Sequence, residues 1–322
     1  NLMDIDKVFQ NQLIKITQEA AISVYPHLGK KNKIIADEAA TNSMRTNLNK
    51  MNIRGNIVIG EGEMDEAPML YIGEKVGAGG PKVDLALDPL EGTTITAKGG
   101  ENALSVLAMA ENNGFLHSPD VYMYKVAVGK KFQDFDIDIE SSPDKIIKDL
   151  TAQYKIKSEN LVVCILERER HNELINKVRN TGARIKLISD GDVSAVIATT
   201  MENSGVDIYM GSGGAPEGVL AAAALRCLGG SIVGKLLLNT EDEKNRAKKS
   251  GITNFNKIYK TNDLASGEVM FAASGVTDGT LLKGVRIYGN KATTHSIVMR
   301  SKTKTIRIIE AEHNLIEKPI IE

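Results

Sequence analysis

Val83-Asp84-Leu85-Ala86-Leu87-Asp88-Pro89-Leu90-Glu91-Gly92-Thr93-Thr94 opens as an apolar run and closes on two carboxylates, a proline, a glycine and two hydroxyls. The run has β-strand character, and a buried strand that delivers acids at its C-terminal end presents chemistry well. Pro89 lacks an N–H, so the ladder is expected to stop there. Gly92 permits a tight turn after Glu91, which brings Asp88, Glu91 and Thr93 to one point. Carboxylates that close repel unless a proton or cation lies between them. Oxygen donors without Cys or His favour a hard ion, Mg²⁺ or Mn²⁺. An ordinary Asp-Pro turn with a solvated Glu is the plain alternative.

A chain of 322 residues suits one large domain or two packed ones. The formal net charge of -1 sets up no global field for nucleic acid or an acidic membrane. Aromatic content of 4% with no Trp argues against base stacking, so no nucleic-acid partner is expected. Cys164 and Cys227 both lie in apolar surroundings and read as buried small hydrophobes of a reducing compartment. No apolar stretch is long enough to span a bilayer, and a cytoplasmic location is the expectation.

Val8, Phe9, Leu13, Ile16, Ala20 and Val24 recur at helical spacing, which predicts a helix over 6–28. Lys30-Lys31-Asn32-Lys33 leads into a second helix over 34–48 that carries Asp37 and Glu38. Residues 56–60 read as a short strand running into Glu61-Gly62-Glu63-Met64-Asp65-Glu66, and 67–76 as a helix. Strands are expected at 103–110 and 122–128. Then come a helix at 143–154 with Ser142 as N-cap, a strand at 161–166, a helix at 172–180 and a strand at 185–188. A helix at 193–201 and a strand at 206–210 complete the alternation. It argues for βαβ units and a parallel sheet in the second half, with the pattern changing near residue 140. Gly211-Ser212-Gly213-Gly214-Ala215-Pro216-Glu217-Gly218 reads as a glycine loop opening a helix, either an anion site or a structural turn. Residues 269–309 hold a further series of strands.

Asp37, Glu61, Asp88, Glu91 and Glu217 all follow or open secondary-structure elements. A multi-ion oxygen-ligand site assembled from distant segments would need that. The five His are scattered, with no zinc spacing. Metal-assisted phosphate chemistry is the leading class on these grounds.

Asp88-Pro89-Leu90-Glu91-Gly92-Thr93 resembles the signature of the lithium-sensitive, Mg²⁺-dependent sugar and inositol phosphatases, with Glu91 in place of the second Asp. That replacement, the stretch from Ile59 to Gly77, Pro119–Met123, Asp190-Gly191-Asp192 and Gly213–Val219 resemble the class II bacterial fructose-1,6-bisphosphatases. The likeness covers almost the whole chain. It implies an α/β (α+β mixed) layered α-β-α-β-α sandwich, one phosphatase unit over 1–322, and a homo-oligomer (dimer or tetramer). It further implies hydrolysis of fructose 1,6-bisphosphate in gluconeogenesis, with Mn²⁺ or Mg²⁺ as cofactor. Sedoheptulose 1,7-bisphosphate or an inositol phosphate is the alternative substrate, and a non-catalytic binding module the remote one. Carried over by motif, Asp37, Glu61, Asp88, Glu91 and Glu217 would be metal ligands, and Thr93 would position the attacking water beside Asp88 and Glu61. Lys33, Glu91, Gly92, Thr93, Tyr122, Arg168, Arg170, Asp190, Asp192, Gly213 and Gly214 would bind substrate. For Arg168 and Arg170 the competing expectation is surface ion pairing with Glu167 and Glu169. Two departures stand out: Ser212 where an apolar residue is expected, and Glu38 where Gly is.

Overall fold

The computed structural model describes residues 5–321. In chain order the elements are α1 (Ile5–Val24), α2 (Lys33–Leu48), β1 (Arg54–Ile59), β2 (Lys75–Val76), β3 (Lys82–Glu91), α3 (Thr93–Lys98) and β4 (Leu104–Glu111). Then follow β5 (Tyr122–Val128), α4 (Pro143–Tyr154), β6 (Val162–Leu166), α5 (Asn172–Arg179), β7 (Arg184–Ile188), α6 (Asp192–Ala198), β8 (Ile208–Gly214) and α7 (Ala215–Leu228). The chain ends with β9 (Ser231–Leu236), α8 (Glu241–Lys249), β10 (Ile258–Lys260), α9 (Thr261–Leu264), β11 (Val269–Gly275), β12 (Arg286–Tyr288), β13 (Lys291–Arg300) and β14 (Ile306–Asn314). Among the described residues no helix is long and apolar enough to cross a membrane. The architecture is mixed α/β with two mixed sheets, as expected.

Contacts gather into two compact units, 1–115 with 266–322, and 116–265. The first unit holds an eight-stranded sheet of order β12-β13-β11-β4-β3-β1-β2, with β14 on the free side of β13. Only β1 and β3 run parallel in it; the other pairs are antiparallel. β3 is apolar on both faces because it is covered on both, so its sequence reads as a continuous run. α1 lays Leu13, Ile16 and Ala20 against Leu85, Leu87, Leu107 and Met109 of the sheet. The Val8 side chain of that helical face lies outside the described residues. Pro26 ends α1 in a 3₁₀ turn, earlier than the predicted 28. In α2, Ala36, Ala40, Met44 and Leu48 form the buried stripe. Asn32 Oδ1 caps that helix by accepting from the Ile35 N–H at 3.2 Å.

The second unit holds a six-stranded sheet of order β10-β9-β5-β8-β6-β7. β6 is parallel to both β7 and β8, as the βαβ pattern predicts. β5, β9 and β10 join by antiparallel pairs. The sequence pattern changes near residue 140, whereas the chain changes sheet at about residue 116 and returns at 266.

Three local expectations are corrected. Residues 67–74 form turns, not a helix. Pro68 lies among them, Leu70 and Gly73 take φ of 53° and 90°, and the Leu70 N–H donates to Glu74 Oε2 at 2.6 Å. The strand continues through Pro89 to Glu91. Between Asp88 and Glu91 the register with β4 slips by one residue, so Pro89 falls in a bulge where no ladder N–H is required. The stretch Gly211–Gly214 is the end of β8, paired with Tyr122–Lys125 of β5, and not a loop. Ser142 is the N-cap residue of α4 as expected, with no side-chain capping bond.

Candidate active site

In the first unit the site begins at the β3 bulge. Asp88 lies at its start, and Glu91, buried, is the last residue of the strand. Gly92 then takes φ 94°, a left-handed turn that an L side chain resists, and Thr93 opens α3. Glu61 follows β1 by two residues. Its N–H donates to the Leu70 carbonyl at 2.9 Å, which ties down the start of the acidic loop. Asp37, one turn into α2, hydrogen-bonds the Glu61 carboxyl.

Glu61 is pushed up to about 9, first by burial, then by the charges of Asp88 and Asp37. Asp37 is raised by burial, with Glu38 adding a smaller push and the bond to Glu61 opposing it. Asp37, Glu61 and Asp88 are thus one electrostatic cluster. Glu63, Asp65 and Glu66 stay exposed on the loop, and Lys33 is exposed at the first residue of α2.

In the second unit the end of β8 organises a separate set of groups. Lys125 of β5 is 1% exposed; its Nζ donates to Asp192 Oδ2 at 2.7 Å and to the Gly214 carbonyl at 2.9 Å. A Cβ on Gly213 would stand 2.8 Å from Asp192 Oδ2, so glycine leaves room for that pair. Glu217 sits in the first turn of α7. The residue is partly exposed, but its Oε2 is sealed from solvent and has no hydrogen-bond partner among the described residues. Burial raises its carboxyl to about 7, with Asp192 adding to the shift and Lys125 opposing it. Asp190 is raised by burial and held back by the Gly191 N–H and the nearby Arg168.

Arg170 donates from Nε to Ser212 Oγ at 3.0 Å and from Nη2 to the Ser212 carbonyl at 2.8 Å. Its guanidinium lies over the exposed Tyr122 ring, 4.7 Å from the centroid. Arg168 donates to the Glu167 backbone carbonyl at 2.9 Å. Neither arginine ion-pairs with Glu167 or Glu169 among the described residues, so the surface-pairing expectation is not met. Sequence reading missed Lys125 and His171. A lysine inside Tyr-Met-Tyr-Lys-Val-Ala-Val was a legible signal of a buried charge needing a partner; His171 carried none.

The donor chemistry suits a hard divalent cation: all-oxygen and acidic, with the charges of Asp88 and Asp37 both acting on the Glu61 carboxyl. Asp37 and Glu61 also hydrogen-bond each other. Among the described residues no three His, Cys, Asp or Glu are arranged to hold an ion.

A family model for bacterial fructose-1,6-bisphosphatase, glpX-encoded, matches residues 7–313. A "D-fructose 1,6-bisphosphatase class 2/sedoheptulose 1,7-bisphosphatase" of Trichodesmium erythraeum (strain IMS101) is 42% identical over 96% of this chain and 97% of its own. A protein of the same description from Microcystis aeruginosa (strain NIES-843 / IAM M-2473) is 41% identical over 96% of each. Among solved structures, the extragenic suppressor protein suhB of Bartonella henselae covers 60% of this chain and 74% of its own at 16% identity. Its TM-score of 0.34 is too low to carry an argument. With the family match running nearly end to end, the chain belongs to the glpX-encoded bacterial fructose-1,6-bisphosphatases and is a phosphoric monoester hydrolase acting on fructose 1,6-bisphosphate.

Proposed function

We propose that Asp37, Glu61, Asp88, Glu91 and Glu217 are ligands for the divalent cations, Mn²⁺ or Mg²⁺, on which the bisphosphatase reaction depends. The observation that carries this is Glu61, a partly buried carboxyl facing Asp37 and Asp88. Bound to these oxygens, the cations supply positive charge that neutralises the phosphoryl oxygens. The Thr93 hydroxyl, half-buried at the first residue of α3, orients the attacking water. A lone threonine is a poor base, so a neighbouring carboxylate takes the water's proton. Arg170 and Arg168 hold the non-reacting phosphate, since guanidinium forks match phosphate oxygens. Lys33, Tyr122, Asp190, Asp192, Gly92, Gly213 and Gly214 seat the rest of the substrate. The salt link to Lys125 makes Asp192 a rigid wall rather than a mobile ligand. The whole chain acts as one phosphatase unit, in the cytoplasm and in gluconeogenesis.

The relatives' double description favours sedoheptulose 1,7-bisphosphate as a second substrate. A homo-oligomer, dimer or tetramer, is supported by β14 on the rim of its sheet, where Ile306 and Ile308 are 45% and 56% exposed.

The test is phosphate release from fructose 1,6-bisphosphate, sedoheptulose 1,7-bisphosphate, fructose 6-phosphate and inositol 1-phosphate with Mn²⁺, Mg²⁺ or EDTA. Metal-dependent turnover of the bisphosphates is expected. Undiminished turnover in EDTA would overturn the ligand assignment. Asp88→Asn should abolish turnover, and Thr93→Ala should lower kcat about a hundredfold or more with KM little changed.

A further inference from the structure

Ser212 touches Arg170 twice. The Nε and Nη2 hydrogens form one edge of the guanidinium fork, and both are taken by Ser212, through Oγ at 3.0 Å and the carbonyl at 2.8 Å. Arginine carries five N–H donors, so the opposite edge keeps its hydrogens free. Tyr122 underlies the guanidinium face and fixes its tilt.

Ser212 is itself held. His171 Nδ1 lies 2.7 Å from the Leu166 carbonyl, which can only accept, so Nδ1 carries the proton and Nε2 the lone pair. That lone pair accepts from the Ser212 N–H at 2.9 Å and faces Ser212 Oγ at 3.1 Å. Ser212 Oγ accepts from Arg170 Nε–H, so its own hydrogen is left to share the His171 lone pair with the Ser212 N–H. Burial is the main influence that holds the imidazole below its usual range, and the Arg170 and Arg168 charges add to it. The neutral tautomer this relay needs is the favoured one. Gly211 makes the approach possible: a Cβ there would stand 3.0 Å from His171 Cε1, and its φ of 149° suits glycine.

We infer that Ser212 is a positioning residue, oriented by His171, that presets the Arg170 fork for the phosphate that is not cleaved. A fork already clamped along one edge loses less rotamer freedom on binding. An apolar residue at 212 would keep the carbonyl bond and lose the Oγ bond, leaving Arg170 held along that edge by a single hydrogen bond.

The inference rests on the reading of Arg170 as a phosphate ligand, and a double-mutant cycle separates the two. KM and kcat for fructose 1,6-bisphosphate are measured for wild type, Ser212→Ala, Ser212→Thr, Arg170→Ala and the Ser212→Ala/Arg170→Ala double variant, with Tm followed for each. Ser212→Ala should raise KM about three- to tenfold, the net worth of one ordinary hydrogen bond, with kcat within about twofold. Ser212→Thr should restore KM, and Ser212→Ala should add nothing once Arg170 is gone. A raised KM in Arg170→Ala with an unchanged KM in Ser212→Ala would overturn the tether alone. So would an equal Ser212→Ala effect in both backgrounds. An unchanged KM in Arg170→Ala would overturn the phosphate reading and the tether with it.

Discussion

Lys125 and Asp192 set the terms at the scale of single residues. A lysine 1% exposed on a central strand is tolerated only because a carboxylate and a carbonyl receive its hydrogens. Lys125→Met would strand Asp192 as a buried, unpaired charge, and a loss of about 3–5 kcal/mol in urea unfolding is expected. A loss below about 1 kcal/mol would mean that Asp192 finds water or a proton instead. Replacing both residues by apolar ones should recover most of the loss, because the pair's desolvation disappears with it. Glu61 poses the opposite case. Its neighbours Asp37 and Asp88 are like-charged, so its stability problem is solved only by a proton or a cation. That contrast separates a structural acid from a ligand candidate, and the sequence shows both simply as Asp or Glu after a strand.

Secondary-structure elements explain which motifs were legible. The α4 range was read correctly because its Ile146, Ile147 and Leu150 stripe is local information. The Gly-Ser-Gly-Gly stretch was misread because strand pairing to Tyr122–Lys125 overrides the loop preference of glycine. Those glycines keep space for His171 and the Asp192 carboxylate. At the acidic loop, Gly60 closes against Leu70, whose carbonyl would stand 2.1 Å from a Cβ. Gly60→Ala should cost about 2 kcal/mol or more and lower activity with it, since Glu61 follows directly. A variant of normal Tm and turnover would show that the loop relaxes freely. α8 offers a simpler check. Thr240 Oγ1 accepts from the Glu243 N–H at 3.2 Å, while Glu243 Oε2 accepts from the Thr240 N–H at 3.0 Å. Thr240→Ala should cost about 1 kcal/mol in unfolding free energy with activity unchanged.

For the molecule as a whole, stability depends on its apolar cores and on buried groups that titrate. His171 and His313 each have folded-state pKa values lowered chiefly by burial. The unfolded chain therefore binds more protons as pH falls through this range. The stability these residues contribute is whole above about pH 6.5 and is lost as pH falls through their folded values. Asp37, Glu61, Asp190 and Glu217 have raised values and slope the other way. The informative quantity is thus a difference between variants. His313, hydrogen-bonded to Thr294 at 2.8 Å with the Lys318 charge nearby, is remote in sequence from the candidate site. His313→Gln should show a shallower fall of Tm between pH 8 and pH 5 than wild type. Identical slopes would mean that His313 protonates as readily folded as unfolded.

The residue order alone determined the donor set, the Asp88–Thr93 motif, the helical stripes and the class of chemistry. Each of these is written within a few residues and depends on side-chain type and period. Only the tertiary structure decided that β11 to β14 return to the sheet of β3, because neither the fully buried β11 nor the exposed β14 carries a record of which strand it pairs with. Only it decided that Lys125 neutralises Asp192 and that Ser212 clamps Arg170, since these partners lie 67 and 42 residues apart. It also decided that Glu61 is raised and Asp192 is ion-paired. The free energy of a charge is set by burial and by neighbours brought from distant parts of the chain, which local sequence does not specify.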